Sequence, residues 1–199
     1  MKKLIILMLI FGIMMFGCAQ QSAPQGTTNT PSTVQAQTTA PQWETYKQKT
    51  FSFEHPAGLG VQESLANYSD GNGFATVAMG DNKSLIFVLA YMKLVAPANM
   101  TAQEAAKSML QADDAARDPM GVLDLVANRS EVMTSTSANG YGVAQMTFNA
   151  PLGGKMLPGY AVQVYDPKTS ISIKARIVDT NESAAKSAAD RFVQSLKLG

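Results

Sequence analysis

The chain has 199 residues, 46% of them hydrophobic, and 16 basic against 15 acidic side chains give a formal net charge of +1. This length suits one domain with appended segments, and the hydrophobic fraction is too high for a disordered chain. The near-neutral charge excludes a strong electrostatic attraction to nucleic acid. The only cysteine is Cys18 and the only histidine is His55. The sequence therefore excludes an intramolecular disulfide, a multi-cysteine metal site and a histidine-pair metal site.

Residues 1–17 have the layout of a secretory signal peptide. Lys2 and Lys3 are followed by an uninterrupted apolar run over 4–16 and by the small residue Gly17. A bilayer span needs about 20 apolar residues, so this run is too short for a permanent transmembrane helix. We predict cleavage after Gly17, which removes both lysines and lowers the formal net charge from +1 to −1.

The segment Met15-Phe16-Gly17-Cys18 resembles the lipobox of bacterial and archaeal lipoproteins. Gly17 and Cys18 match that pattern, while Met15 stands where leucine is usual and Phe16 is bulkier than the usual residue. The resemblance implies a diacylated Cys18 that anchors the chain to the outer face of the cell membrane or to the outer membrane. Two acyl chains give stable anchoring. A non-lipidated signal peptide and an uncleaved anchor are the alternatives.

Residues 18–42 are predicted to be the lipidated cysteine and a disordered tether. The part after Cys18 carries no charge and consists mainly of Gln, Thr, Ser, Ala and Pro. Such a segment buries too little apolar surface to offset its chain entropy. A flexible linker of this length reaches roughly 25–30 Å. An ordered domain is predicted over 43–199.

Periodicity and turn signals predict strands and two helices in this domain. A capping box of Thr101 and Glu104 begins a helix over 101–117, and an apolar stripe at helical spacing predicts a second helix over 182–196. In the last predicted strand, successive residues alternate between two faces. One face is apolar, and the other carries Ser172, Lys174 and Arg176. The predicted strands are 50–56, 74–79, 85–95, 123–132, 141–148, 160–165 and 170–178. Hairpin-length connections between them indicate an α+β fold in which two helices cover a central antiparallel sheet.

The segment Phe51-Ser52-Phe53-Glu54-His55-Pro56-Ala57-Gly58-Leu59 resembles the opening phrase of the PsbP-like family. The late hairpin and the closing helix, which ends Phe192-Val193-Gln194-Ser195-Leu196, support the resemblance. His55 and Leu59 stand where that family tends to have aromatic residues. The resemblance implies an α/β/α sandwich over 43–199 that serves as a non-catalytic extracytoplasmic accessory domain.

Isolated residues hint at chemistry, but each has a structural explanation. His55 could be a general base or a metal ligand, although its place in step with Phe51 and Phe53 predicts packing at the rim of the core. The Asp70-Gly71-Asn72-Gly73 segment alternates oxygen ligands but lacks the remainder of a calcium loop, so a turn is predicted. The acidic cluster Asp113, Asp114 and Asp118 is read as a solvated helix face. We therefore predict no catalytic residue, no metal site and no cofactor.

Two further patterns are also read structurally. Gly153-Gly154-Lys155 lacks the spacing of a phosphate-binding loop and is predicted to be a flexible loop. The scattered methionines could bind copper through their thioethers, but filling of the core explains them better. They include Met120, Met133, Met146 and Met156.

Five asparagines begin an N-x-S/T sequon without proline, which is more than such a composition would yield by chance. They are candidate N-glycosylation sites, a modification that would suit an archaeal cell envelope. The five are Asn67, Asn82, Asn99, Asn128 and Asn181.

These observations predict a membrane-anchored extracytoplasmic lipoprotein whose domain binds a protein partner in the cell envelope without catalysis. A carrier of a small apolar or metal ligand is one alternative, and a hydrolase-type enzyme is another. An exposed apolar patch would favour the first, an enclosed cavity the second, and a cleft joining His55 to carboxylates the third.

Overall fold

The computed structural model describes residues 42–66, 74–91, 94–115, 128–152 and 154–199, without the side chains at 65–66 and 113–115. Within these ranges the chain forms ten strands and two helices. Their bounds are β1 Trp43–Lys47, β2 Phe51–Pro56, β3 Gly60–Ala66, β4 Phe74–Gly80, β5 Ser84–Tyr91, α1 Ala102–Ala115, β6 Met133–Thr136, β7 Gly142–Leu152, β8 Lys155–Asp166, β9 Ile171–Asp179, α2 Glu182–Ser195 and β10 Lys197–Leu198.

The described strands form two antiparallel sheets. The large sheet has the order β3-β4-β5-β9-β8-β7-β6, and the small sheet has the order β1-β2-β10. In the large sheet β9 pairs with β5 through Phe87↔Arg176 and with β8 through Ala161↔Arg176. Strand β9, which comes late in the sequence, therefore lies at the centre of the large sheet. It joins β3, β4 and β5 on one side to β8, β7 and β6 on the other.

The large sheet buries apolar side chains on both faces. Alternate residues of a strand point to opposite faces, so Ala161 and Val162 of β8 belong to different clusters. Ala161 packs with Leu110 of α1, while Val162 shares a cluster with Phe192 of α2 and with the small sheet. The two helices therefore contact opposite faces of the large sheet, and both faces of β8 and β9 are buried.

Strand β2 of the small sheet packs against α2. Its period-two pattern buries Phe51, Phe53 and His55 on one side. The ring centroids of Phe53 and Phe192 lie 5.0 Å apart. Strands β1 and β10 form the two edges of the small sheet. The small sheet thus adds its aromatic face to the core beneath α2.

Both helices begin with a side-chain cap. Thr101 N and the Thr101 hydroxyl each donate a hydrogen bond to Glu104 at 2.8 Å, and Glu104 N donates to the same hydroxyl, so the predicted capping box is confirmed. The bonds from the Thr101 backbone and then from its hydroxyl lower the pKa of Glu104. Neither described helix is long and apolar enough to cross a bilayer.

The predicted α+β class is confirmed, but the predicted arrangement of one sheet covered by two helices is wrong. The strands divide into two sheets because β2 pairs with β1 and β10 instead of joining the large sheet. Each helix contacts only part of the large sheet: α1 packs against β6, β7 and β8, while α2 packs against β8, β9 and strand β2 of the small sheet.

Several predicted boundaries are also corrected. Residues 128–132 are not a strand, and positions 123–127 of that predicted element, like 116–117 of the first predicted helix, lie outside the described residues. Strands β7 and β8 are longer than predicted and pair to Leu152↔Lys155. Lys155 therefore belongs to β8 and not to a flexible loop, and Gly154 has a positive φ of 77°, while Gly153 lies outside the described residues.

Gly142 lets α1 approach the start of β7. A Cβ at Gly142 would lie 2.1 Å from the carbonyl carbon and oxygen of Ala102, a backbone position that cannot move independently of α1. We expect Gly142→Ala to lower the free energy of unfolding by about 1–3 kcal/mol, measured by urea denaturation. Gly60→Ala is the matched control, because its Cβ would meet only Gly80 O at 3.6 Å. Equal stability of the two variants would contradict this packing argument.

Candidate functional site

The structure describes only some of the residues that the sequence singles out. Cys18 and Asn67 lie outside the described residues, as do the Asp70–Gly73 segment, Asp118, Met120 and Gly153. The four described sequon asparagines are all exposed, as glycan acceptors must be: Asn82, Asn99, Asn128 and Asn181. Their glycosylation stays a prediction.

Asn181 also has a structural role. Its side-chain oxygen accepts hydrogen bonds from Ser183 N at 2.9 Å and Ala184 N at 3.3 Å, which caps α2. We expect Asn181→Ala to lower the free energy of unfolding by about 1 kcal/mol in material without glycans. Asn181→Asp keeps the capping oxygen and deletes the sequon, so it should retain the stability and lose any glycan mass. An equal loss of stability in both variants would rule out the cap as the cause.

His55 is buried, with 4% of its surface exposed. Its Nδ1 lies 2.9 Å from the carbonyl oxygen of Pro56, and its ring packs 6.4 Å from that of Phe53 between centroids. The predicted packing at the core is confirmed. A buried ring in this position is poorly placed to act as a general base on a substrate.

The described residues bring together no group of three or more His, Cys, Asp or Glu side chains that could hold a metal ion. The described methionines differ in burial. Met146 fills the core as predicted, but Met133 and Met156 are exposed, so core filling is the wrong explanation for these two.

A polar stripe formed by Gln163, Ser172, Lys174 and Arg176 lies buried on the α1 side of the large sheet. The Gln163 amide donates to the Ser172 hydroxyl at 2.6 Å, and that hydroxyl contacts the sulfur of Met109 on α1 at 3.4 Å. The Arg176 guanidinium lies 5.7 Å from the centroid of the Phe148 ring. Because these four side chains are buried, we do not assign the stripe to ligand binding.

An open groove of about 460 Å³ lies between Trp43 at the start of β1 and one face of α2. The helix residues stand at positions i, i+3, i+4, i+7, i+8 and i+11, which places them on one face. Their neighbours Ala185, Ala188, Ala189 and Phe192 form the buried face of the same helix. The groove residues from α2 are Ser183, Lys186, Ser187, Asp190, Arg191 and Gln194.

Each of the two basic side chains of this groove is paired with a carboxylate, one within the groove and one at its edge. Lys186 Nζ lies 2.6 Å from the Asp190 carboxylate, whose hydrogen bond and then whose charge raise the pKa of Lys186. Arg191 Nε donates to the carboxylate of Glu54 on β2, and its guanidinium lies 5.7 Å from the centroid of the Trp43 ring. The ion pair of Arg191 with Glu54 thus lies beside the indole, and the groove has little net charge.

A second surface, the apolar rim, consists of Phe74, Leu94, Val95 and Met100, all exposed. Phe74 pairs with Tyr91 at one end of the large sheet. The chain from Leu94 onward crosses that end, where Leu94 N donates to Ser170 O at 2.8 Å and Ala96 N donates to the Tyr165 hydroxyl at 3.2 Å. Hydrogen bonds from the backbone therefore fix an apolar segment at the surface.

The sequence contains weak signals for both surfaces. Trp43 is the only tryptophan and stands where the composition changes, and the polar residues of α2 alternate with its apolar stripe. The apolar run after Tyr91 was predicted to continue the strand to residue 95, but the strand ends at Tyr91. Residues 92–93 lie outside the described residues, and Leu94 and Val95 are exposed and not part of a strand.

A scan of the chain against protein-family models finds no match, and a search of curated proteins finds none either.

Proposed function

We propose that this chain is a lipid-anchored extracytoplasmic protein whose non-catalytic domain binds a protein of the cell envelope through the apolar rim. Cys18 carries the anchor, on the outer face of the cell membrane or on the outer membrane. The domain over 43–199 is of the PsbP-like type.

The anchor is supported by the order of features in the leader. A cationic start, an apolar run shorter than a bilayer span, and Gly17-Cys18 follow one another. An acyl modification also explains why the only cysteine stands at this position. The uncharged segment after Cys18 then separates the anchor from the domain.

The PsbP-like assignment is supported by the α+β class and by two helices that contact opposite faces of an antiparallel sheet. The segment that resembles the family's opening phrase forms β2, whose Phe51, Phe53 and His55 point into the core together. The pattern of that phrase therefore has a packing role in this chain.

Binding through the apolar rim is carried by one observation: Val95 is 78% exposed in a segment whose neighbours are hydrogen-bonded to the sheet. Single exposed apolar residues are ordinary, but Phe74, Leu94 and Val95 lie towards the same end of the large sheet, and a shared apolar surface there favours binding of a partner. The alternatives have less support. The described groove is open and polar, unlike the enclosed site of an apolar carrier, and His55 is buried away from a substrate.

Site-specific photo-crosslinking in cells of the native host tests the proposed interface. A photoreactive residue in place of Val95 is expected to cross-link the chain to one envelope protein. The same residue in place of Val61 is the matched control, because Val61 is an exposed valine on the edge strand β3, towards the other end of the large sheet. Absence of a cross-link from position 95, or equal cross-linking from both positions, would refute the proposed interface.

The isolated partner then provides an affinity measurement. Loss of one buried aliphatic side chain costs about 1.5 kcal/mol or more, so Val95→Asp should weaken binding at least about tenfold. Val61→Asp should leave the affinity unchanged. Circular dichroism of both variants controls for folding.

A further inference from the structure

We propose that the groove between Trp43 and α2 binds a neutral saccharide. This site is separate from the apolar rim, and the proposal goes beyond the function proposed above. The volume of the groove, about 460 Å³, lies within the range of about 300–1,000 Å³ that is usual for ligand sites.

The aromatic part of the site is pre-organised. Trp43 is partly buried against the core, and Arg191 is held over its ring while bound to Glu54. The part of the indole that the core and Arg191 leave uncovered lines the groove, and it offers an apolar surface that does not have to be ordered on binding. A sugar ring presents C–H groups that fit such a surface, together with hydroxyl groups around its edge.

The helix supplies polar groups for those hydroxyls. Ser187 and Gln194 are exposed, and within the described part of the chain their side chains have no hydrogen-bond partner. Each can both donate and accept, as a sugar hydroxyl requires. They are two helical turns apart, about 10 Å along the axis, so they would contact different rings of an oligosaccharide.

The charge pattern favours a neutral ligand over an anionic one. Lys186 is engaged by Asp190 and Arg191 by Glu54, so a phosphate or carboxylate would have to displace an existing carboxylate partner. A neutral polyhydroxylated molecule can bind while both ion pairs remain intact.

The single tryptophan makes the proposal directly measurable. The detergent-solubilised full chain is titrated with cellotriose, maltotriose and chitotriose, and with inorganic phosphate as the anionic comparison. We expect a saturable change in tryptophan fluorescence with at least one trisaccharide and none with phosphate. Because Trp43 is the only tryptophan, the signal reports on the groove alone.

Paired variants separate the site from general effects. Ser187→Ala with Gln194→Ala should weaken binding about fivefold or more, as expected for two lost hydrogen bonds. Ser108→Ala with Gln111→Ala removes the same chemistry from the exposed face of α1 and should leave the affinity unchanged. The proposal is overturned if no trisaccharide gives a saturable signal, if phosphate binds as well as the sugars, or if both double variants bind alike.

Discussion

Replacement of Cys18 by serine is expected to move the chain from the membrane fraction to the soluble fraction. Serine cannot accept the thioether-linked lipid, and the variant should lose the mass of the acyl groups. Burial of acyl chains stabilises anchoring by about 0.8 kcal/mol per CH₂, so loss of two chains abolishes stable attachment. Fractionation with immunoblotting and intact-mass measurement of the protein from the native host check the result.

The leader offers a matched variant for the same prediction. If residues 15–18 form a lipobox as proposed, Phe16 is bulkier than the residue usual at its position, so Phe16→Ala should increase the fraction of processed, lipidated chain. If Cys18→Ser leaves both the membrane retention and the mass unchanged, the anchor is an uncleaved leader. The proposal for Cys18 would then be wrong.

Replacement of Phe53 by alanine is expected to give the largest loss of stability among our substitutions in the domain. Its side chain is 1% exposed, stacks on Phe51 with 6.2 Å between ring centroids, and lies 5.3 Å from Tyr46 and 5.0 Å from Phe192. Truncation of such a side chain costs about 3–5 kcal/mol, because the cavity it leaves cannot collapse fully. That is a large part of the stability of an ordinary domain.

The control for this prediction is Phe74→Ala, which removes the same atoms from the exposed apolar rim. Its expected cost is below about 1 kcal/mol. Urea denaturation of both variants measures the difference. If Phe53→Ala costs no more than Phe74→Ala, the small sheet is not an integral part of the core.

Elements with strong local signals could be predicted from the sequence. The capping box at Thr101 and the apolar stripe through Ala185 and Phe192 act within a few turns of one helix, so the sequence contains the whole signal. The hairpin around Asp81 is similar, because Asp81 accepts hydrogen bonds from Lys83 N and Ser84 N within the turn itself.

Elements that depend on distant partners could not be predicted. Strands β1 and β3 are rich in polar residues and lie at sheet edges, so their conformation depends on pairing more than on an apolar pattern. Strand β10 has only two residues, which is too short for any periodicity. The division into two sheets follows from these strands.

The candidate groove was missed for the same reason. Trp43 and Arg191 are at opposite ends of the domain sequence, and only the pairing of β1 with β2 and the packing of α2 on β2 bring them together. The alternating pattern of β9 assigns Arg176 to a polar face, but this side chain is only 4% exposed. An alternating pattern in the sequence does not show whether the polar face of a strand contacts water or a second packed layer of the protein.

The pairing of β10 with β2 has a consequence for the order of events in biosynthesis. Leu198 pairs with Phe51, Gly199 N donates to Thr50 O at 2.9 Å, and Asn139 donates to Leu196 O at 2.9 Å. The small sheet therefore cannot be completed until residues 197–199 have left the ribosome. Contacts between residues so far apart in sequence also slow folding. A nascent chain with this topology stays unfolded for longer, and the export that we propose would require such an extended form in the translocon.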